Sequence, residues 1–199
     1  CNLGARLGTS RLILFLNSDV LLFDQNWLTS MVSEFETDSV GVVGSKLLFF
    51  RKECPGYSGD RVDLRPPGKI QHAGVAFDFL NRPYHLFVGW DSWSPKVNRR
   101  LKMNAVTGAC LMTRRNLFEQ IGGFEEAYTL GNFEDIEYCL CVRSEGYDVI
   151  YTPESVLYHY AGGSSNNATA IFNEALFKHR CKKLLVYDEY HHVFGEGLP

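Results

Sequence analysis

Two adjacent carboxylic acids and a downstream histidine are the residues of this chain best suited to chemistry. Glu134 and Asp135 are followed by an apolar series at spacings i, i+3 and i+4, namely Ile136, Cys139 and Leu140. This spacing predicts a helix with both acids in its first turn, and Gly146 predicts where it ends. A carboxylate held in this way can act as a general base, and the imidazole of His159 can bind a metal ion. Acids also favour helix N-termini for purely electrostatic reasons, so the pair by itself leaves both interpretations open.

A second acidic signal lies upstream, where an apolar run at residues 12–16 ends in Asn17, Ser18 and Asp19. An unbroken apolar run is typical of a parallel strand that is buried on both faces. Ligands of open α/β sheets bind beyond the carboxyl ends of the strands, which predicts Asn17 and Asp19 at the mouth of a cleft. An aspartate after a strand also fits a simple turn, and taken alone the two interpretations are equal.

Combined, these segments resemble the family 2 glycosyltransferases of the GT-A fold. The resemblance is strongest to the branch that includes rhamnosyltransferases and other builders of bacterial surface polysaccharides. It covers most of the chain, and each motif is weak alone but specific in this order and spacing. The matching segments are residues 2–4, 16–20, 70–74, 107–115, 121–126, 134–135, 146–153 and 159.

The resemblance implies an α/β fold in which helices flank a mainly parallel central sheet, with residues 12–16 as a central strand. Residues 1–199 would form a single, partial GT-A domain. Family members carry a first strand and further βα units before the stretch that begins at Asn2. We therefore expect an N-terminally truncated nucleotide-diphospho-sugar transferase fold, taken from a longer protein.

The same resemblance assigns roles to individual residues. Asp135 would be the catalytic base, and Glu134 would support it or contact the acceptor. Asp19 and His159 would bind a divalent metal, Mn²⁺ or Mg²⁺. Asn17, Asp19 and Gly108 would contact the nucleotide-sugar donor. The implied reaction is transfer of a sugar to a glycan or other hydroxyl acceptor by a single displacement with inversion, because the motif supplies one base and no second, nucleophilic carboxylate.

Two departures from the family pattern keep a different class of function open. Asn17 stands where the family's Asp-x-Asp motif usually has its first acid, and Cys141 stands where arginine is frequent. Both favour a catalytically inactive domain that binds a glycan or a partner protein. Retention of Asp19, Asp135 and His159 favours the enzyme. A nucleotidyltransferase lacks support, because no glycine-rich phosphate loop with a basic residue is visible.

Composition restricts the partners and the compartment. The 199 residues are 45% apolar and 22% charged, and a formal net charge of −3 provides no general attraction to nucleic acid. We expect a nucleotide-sugar donor and a glycan, lipid-linked or protein acceptor. Six cysteines without CxxC spacing favour a reducing compartment. We therefore expect a cytoplasmic location or the cytoplasmic face of a membrane. The longer protein could associate peripherally with that membrane.

Local patterns predict the elements that carry these residues. Asp24 is a candidate N-cap for an amphipathic helix, and residues 40–44 and 45–50 read as two short strands. Residues 51–69 are a loop that fits either acceptor specificity or a solvated insertion. The aromatic stretch 84–95 suits stacking on sugar rings as well as packing in the core. A strand at 101–113, interrupted at Gly108, and a helix at 170–187 complete the prediction.

Overall fold

The computed structural model describes residues 1–22, 24–50, 68–129, 131–160 and 167–195. Its helices and strands follow in chain order: α1 (Asn2–Leu7), β1 (Leu12–Leu16), β2 (Val20–Leu22), α2 (Trp27–Glu34), β3 (Val40–Phe49), β4 (Ile70–His72), β5 (Val75–Phe77), β6 (Pro83–His85), β7 (Leu101–Met103), β8 (Cys110–Arg114), α3 (Arg115–Ile121), α4 (Glu134–Ser144), β9 (Asp148–His159), α5 (Asn167–Cys181) and α6 (Glu189–Val193).

A mixed sheet organises this α/β fold. Among the described strands, seven form one sheet with the order β1-β8-β3-β9-β2, while β4 pairs with β3 and β7 pairs with β9. In that sheet β3 and β9 run parallel and the other described pairings are antiparallel. The α/β class is confirmed, but the mainly parallel sheet is wrong for these strands. An apolar run indicates burial without encoding the direction of the neighbouring strand.

The strand predicted to be central, β1, lies at an edge of the described sheet, where it pairs with β8. Ile13 and Phe15 are buried, Leu12 and Leu14 are half-buried, and Leu16 is exposed. The prediction of a central position was therefore wrong. Alternate residues of a strand point to opposite faces, so an all-apolar run looks the same whether one face or both are covered.

The two long strands, β3 and β9, lie in the interior of the sheet, and helices cover its faces. The segments predicted as separate strands at 40–44 and 45–50 form the single buried strand β3. Helix α2 packs Trp27 and Met31 against one face, and its N-cap is Asn26, whose N–H is held by the carboxylate of Asp24 at 3.0 Å. Helices α3 and α4 contribute to the core on the other face, through Leu117, Phe118, Tyr138, Cys139 and Val142.

Several local predictions are confirmed, and others fall outside the described residues. The interrupted strand at 101–113 is seen as β7 and β8 on either side of Gly108. The helix predicted at 170–187 is seen as α5, which ends at Cys181, so its last six residues are not helical. The predicted loop at 51–69 lies almost entirely outside the described residues. Within the described ranges, no helix combines the length and apolar character needed to cross a membrane.

Candidate active site

A cleft of about 770 Å³ contains every residue that the sequence predicted for the site. It opens beyond the end of β1 and the start of α4. Its lining includes Asn17, Asp19, Gly108, Glu134, Asp135 and His159. These residues come from segments that are far apart in the chain, and the fold brings their side chains to one surface.

Strand pairing places the aspartate beside the histidine. Strand β2 pairs antiparallel with the end of β9, with Val20 opposite His159. Asp19, the residue before β2, consequently lies next to that imidazole, with Oδ1 3.2 Å from Nε2 of His159. The amide nitrogen of Asn17 lies 3.2 Å from the same ring nitrogen. The polar ends of β1 and β9 thus meet at one point.

Gln71 fixes which nitrogen of His159 carries the proton. The Gln71 side chain donates from Nε2 to the carbonyl oxygen of His159 at 2.9 Å, which leaves its Oε1 2.6 Å from Nδ1 of the same histidine. Oε1 can only accept, so Nδ1 must donate. In the neutral imidazole, Nε2 then presents a lone pair toward Asn17 and Asp19. A partner on the second nitrogen is the usual means by which proteins orient a metal-binding histidine.

This arrangement suits a divalent cation. The Nε2 lone pair of His159 and a carboxylate oxygen of Asp19 are 3.2 Å apart, and two such atoms repel each other unless a proton or a metal ion lies between them. Carboxylate oxygen and imidazole nitrogen are suitable ligands for Mn²⁺. Within the described parts of the chain, no group of three His, Cys, Asp or Glu side chains gathers as a metal cluster. Asp19 and His159 could therefore hold a cation only together with other oxygen ligands, such as donor phosphates.

A left-handed turn aims the acid pair into the cleft. Gly131, Asn132 and Phe133 have φ values of 82°, 78° and 78°, and α4 starts immediately afterwards. Left-handed backbone in two consecutive non-glycine residues is unfavourable, so tertiary contacts must hold it. The ring of Phe133 stacks on Phe177 with centroids 5.0 Å apart, and Asn173 donates to the Gly131 carbonyl at 2.7 Å. Contacts from helix α5 therefore hold the turn in this conformation.

Backbone amides orient the Asp135 carboxylate. Oδ2 accepts a hydrogen bond from the N–H of Gly108 at 2.6 Å, and Oδ1 accepts from the N–H of Ile136 at 2.8 Å. A Cβ atom at position 108 would lie 3.2 Å from the Cβ of Asp135. The glycine thus permits the close approach of the two segments. Each carboxylate oxygen has a second lone pair, with which it can accept a proton from a ligand.

Glu134 differs from Asp135 in its surroundings. Burial, together with the negative charge of Asp135, raises the pKa of Glu134 to about 7. Its Oε2 atom is buried without a hydrogen-bond partner among the described residues. Burial and a neighbouring negative charge both favour the protonated form of a carboxyl group, so Glu134 is only partly ionised near neutral pH.

This pKa predicts how stability depends on pH. The folded value of about 7 lies above the value of about 4.3 for an unfolded glutamate, so the folded state binds the proton more tightly. The contribution of Glu134 to stability is complete below about pH 4.3 and falls as the pH rises through 7. We expect Glu134→Gln to raise the melting temperature above pH 7 and to flatten its decline between pH 5 and 8.

Thermal unfolding followed by circular dichroism across that pH range measures the effect in the purified protein. Glu36→Gln is the matched control, because Glu36 is exposed and lies outside the cleft. Parallel pH profiles for wild type and Glu134→Gln would show that Glu134 does not titrate in this window.

A second hollow, of about 690 Å³, lies between β1, α2 and α3, and Arg114 and Arg115 in its lining bind carbonyl oxygens of the backbone. Arg114 donates to the carbonyl oxygens of Phe35, Thr37 and Val40 at 2.7–3.0 Å. Arg115 donates to the carbonyl oxygens of Ala5 and Ser10. Both side chains therefore hold neighbouring segments of the backbone together. The cleft around Asp135 is the better candidate for chemistry.

Sequence reasoning missed three polar residues around the cleft. Gln71 and His72 belong to the motif at 70–74 but received no role, and His85 fell in the aromatic stretch assigned to sugar stacking or core. Histidine and glutamine are seldom fully buried, so the burial of His72 and Gln71 in the short strand β4 marks both as candidates for a functional role. Their partners, however, come from distant segments.

The chain resembles known proteins in its sequence. Residues 2–180 match the family described as "Glycosyltransferase like family 2". The chain is 32% identical over 168 residues to the O-antigen biosynthesis protein RfbC of Myxococcus xanthus, covering 82% of this chain and 12% of that protein. It is 31% identical over 171 residues to the uncharacterized protein y4gI of Sinorhizobium fredii, covering 84% and 17%. The chain thus spans less than a fifth of the length of either relative.

Solved structures share the fold at low identity. The crystal structure of GalNAc-T7 with UDP, GalNAc and Mn²⁺ aligns with a TM-score of 0.61 and 13% identity, covering 89% of this chain and 34% of that one. The mannosyltransferase PcManGT from Pyrobaculum calidifontis, in complex with GDP-Man and Mn²⁺, aligns with a TM-score of 0.52 and 18% identity, covering 97% and 48%. The chain belongs to glycosyltransferase-like family 2, and its fold is that of the GT-A glycosyltransferases.

Proposed function

We propose that this chain is the catalytic region of an inverting glycosyltransferase that moves a sugar from a nucleoside diphosphate to a hydroxyl acceptor. The observation that carries the proposal is the presence in one cleft of the Asp19–His159 pair and the hydrogen-bonded Asp135 carboxylate. The Asp19–His159 pair suits a diphosphate with its cation, and Asp135 offers a base. The polysaccharide role of the M. xanthus relative suggests a glycan or lipid-linked acceptor.

In the proposed reaction, Asp135 accepts the proton of the acceptor hydroxyl. The acceptor oxygen forms a bond to the anomeric carbon, the bond from that carbon to the diphosphate oxygen breaks, and its electron pair leaves with the nucleoside diphosphate. The amides of Gly108 and Ile136 hold the carboxylate of Asp135 in position for this proton transfer. A cation held by Asp19 and His159 would supply positive charge to the leaving diphosphate.

The state of the neighbouring acid supports a single displacement. A double displacement needs a second carboxylate as nucleophile, and nucleophilic attack requires the ionised form. The raised pKa of Glu134 leaves it only partly ionised near neutral pH, and one of its oxygens is buried without a hydrogen-bond partner among the described residues. Glu134 is therefore poorly suited to forming a covalent intermediate, and attack by the acceptor itself inverts the anomeric carbon.

The test is a donor screen with a longer protein that contains this chain, in line with the expectation that the chain is part of one. Release of nucleoside diphosphate from UDP-, GDP- and dTDP-sugars is measured with Mn²⁺, with Mg²⁺ and with a chelator, in the presence of glycan and lipid-linked acceptors. We expect transfer from one nucleotide class, dependent on the cation, with an inverted linkage in the product by NMR. Binding of nucleotide sugar without transfer to any acceptor would favour the binding module. Cytoplasmic placement and association with a membrane remain predictions for that longer protein.

A further inference from the structure

A buried carboxylate connects the last described helix to distant parts of the chain. Asp188 directly precedes α6, and its side chain is fully buried. An aspartate at this position usually accepts hydrogen bonds from the first N–H groups of its own helix, but the Asp188 side chain makes no such bond. Its two oxygens are therefore available for other contacts.

Donors from two other segments and from α6 surround this carboxylate. Oδ1 accepts from the N–H of Phe77, 111 positions away, at 2.7 Å. Oδ2 accepts from the side-chain amide of Asn104, 84 positions away, at 2.7 Å, and lies 2.9 Å from Nε2 of His192. The N–H of Asp188 also donates to the Phe77 carbonyl oxygen at 3.3 Å. The carboxylate thus joins β5, the residue that follows β7, and α6.

Phe77 belongs to a hairpin that lines the cleft. Strands β5 and β6 form a two-stranded sheet of their own, separate from the seven-stranded sheet. Helix α6 contacts this hairpin at two points, through the bonds of Asp188 to Phe77 and through Glu189, which accepts from the Tyr84 hydroxyl at 2.7 Å. The position of this side of the cleft therefore depends on α6. The hairpin residues that line the cleft are Val75, Pro83, Tyr84 and His85.

Asn104 lies at the start of the segment that orients the candidate base. This segment, residues 104–108, ends at Gly108, whose N–H binds Oδ2 of Asp135 at 2.6 Å. The hairpin contacts the same segment, because the N–H of Val75 donates to the carbonyl oxygen of Ala105 at 2.9 Å. The hairpin and the 104–108 segment are thus bound to each other, and both are bound to one carboxylate beyond the cleft.

We propose that Asp188 is a positioning residue, which holds the hairpin and the 104–108 segment in the relative placement that lets Asp135 reach the acceptor hydroxyl. This inference rests on the proposed function, because it concerns the base of that reaction. Proton transfer needs the base within about 2.6–3.2 Å of the hydroxyl oxygen, and the hairpin limits where an acceptor can lie. Asp188 itself is outside the cleft lining and acts through Asn104 and Phe77.

Asp188→Asn keeps the shape of the side chain but replaces one acceptor oxygen by an N–H donor. That donor meets either the amide of Asn104 or the N–H of Phe77, so one connection is lost. In a longer protein that contains this chain, we expect kcat to fall by about 10- to 100-fold, the effect of a small misplacement of reacting groups. Donor affinity should stay within about 3-fold of wild type, because Asp19 and His159 are placed by the pairing of β2 with β9.

A second variant breaks one connection alone. Asn104→Leu leaves Asp188 bound to Phe77, and we expect a similar loss of kcat. The double variant should be no slower than the slower single variant, since both changes break the same contact. Thr113→Val is the matched control, because it removes a buried hydroxyl that hydrogen-bonds to Tyr138 outside the cleft. This control should lower the melting temperature and leave kcat unchanged.

Hydrogen exchange followed by mass spectrometry tests the connection without any substrate. Peptides that cover residues 74–86 and 103–109 report on the hairpin and on the segment that ends at Gly108. Asp188→Asn should speed exchange in both peptides, whereas Thr113→Val should speed it in neither. A general loss of stability would instead speed exchange throughout the domain.

The outcomes separate this inference from the proposed function. If wild type consumes no nucleotide sugar but Asp188→Asn exchanges faster in both peptides, the transferase proposal fails and the connection stands. If transfer occurs and Asp188→Asn keeps its kcat, or loses no more than Thr113→Val, the positioning role is wrong. Unchanged exchange at 103–109 would contradict it as well. Should Asp188→Asn fail to fold, a wild-type kcat in Asn104→Leu overturns the inference, because that variant keeps the buried carboxylate and its contact with Phe77.

Discussion

Replacing Asp135 by asparagine should lower turnover by roughly 10²–10⁴-fold, the usual worth of a positioned general base. Asparagine keeps the size of the side chain, and its one oxygen can still accept from either the N–H of Gly108 or the N–H of Ile136. It cannot take the proton of an acceptor hydroxyl. Because the proposed contacts to the diphosphate come from Asp19 and His159, we expect the affinity for the nucleotide sugar to remain within a few-fold of wild type.

The measurement pairs transfer rate with donor affinity in the same preparations of the longer protein. Asp38→Asn is the matched control, because Asp38 is exposed and lies outside the cleft. Asp135→Asn should lose rate alone, and Asp38→Asn should lose neither. Equal loss of rate and donor affinity in Asp135→Asn would reassign this residue to donor binding.

Removal of the Asp19 carboxylate should reduce cation-dependent transfer by about 10²–10³-fold, the range seen when one electrostatic group that stabilises developing charge is deleted. Asp19→Ala takes away the anionic ligand, and excess cation should not replace it. His159→Ala removes a neutral ligand, so we expect weaker Mn²⁺ affinity that saturating Mn²⁺ partly corrects. Unchanged rates for both variants at limiting Mn²⁺ would exclude a metal site at this position.

Two neighbouring residues sharpen this test. Gln71→Met removes the acceptor that keeps the proton of His159 on Nδ1, and loss of such a supporting contact typically weakens metal binding by about 10–100-fold. Asn17→Asp replaces an amide whose N–H lies against Nε2 of His159 with a second carboxylate, so Mn²⁺ should bind more tightly. Mn²⁺ titrations followed by electron paramagnetic resonance report both affinities without requiring transfer. Opposite shifts for the two variants are the expected result.

The errors in the predicted sheet have a single physical origin. Hydrophobic runs at 12–16 and 40–50 correctly located β1 and β3, since burial selects for apolar side chains in either strand direction. Direction and order depend on how the chain returns between strands. For β1 and β8, that return spans nearly a hundred residues and leaves no local pattern. The edge position of β1 was missed for the same reason.

The sequence by itself determined the chemical groups and their local settings: a helix that begins at Glu134 and Asp135, a strand that ends at His159, and polar residues after β1. These features depend on periodicity and on residues close together in the chain. Only the tertiary structure decided the proton positions, because Gln71 meets His159 across 88 positions and His72 meets His85 through a separate hairpin. Imidazole tautomers follow from the hydrogen-bond partners of each nitrogen, and those partners exist only once the distant segments have packed together.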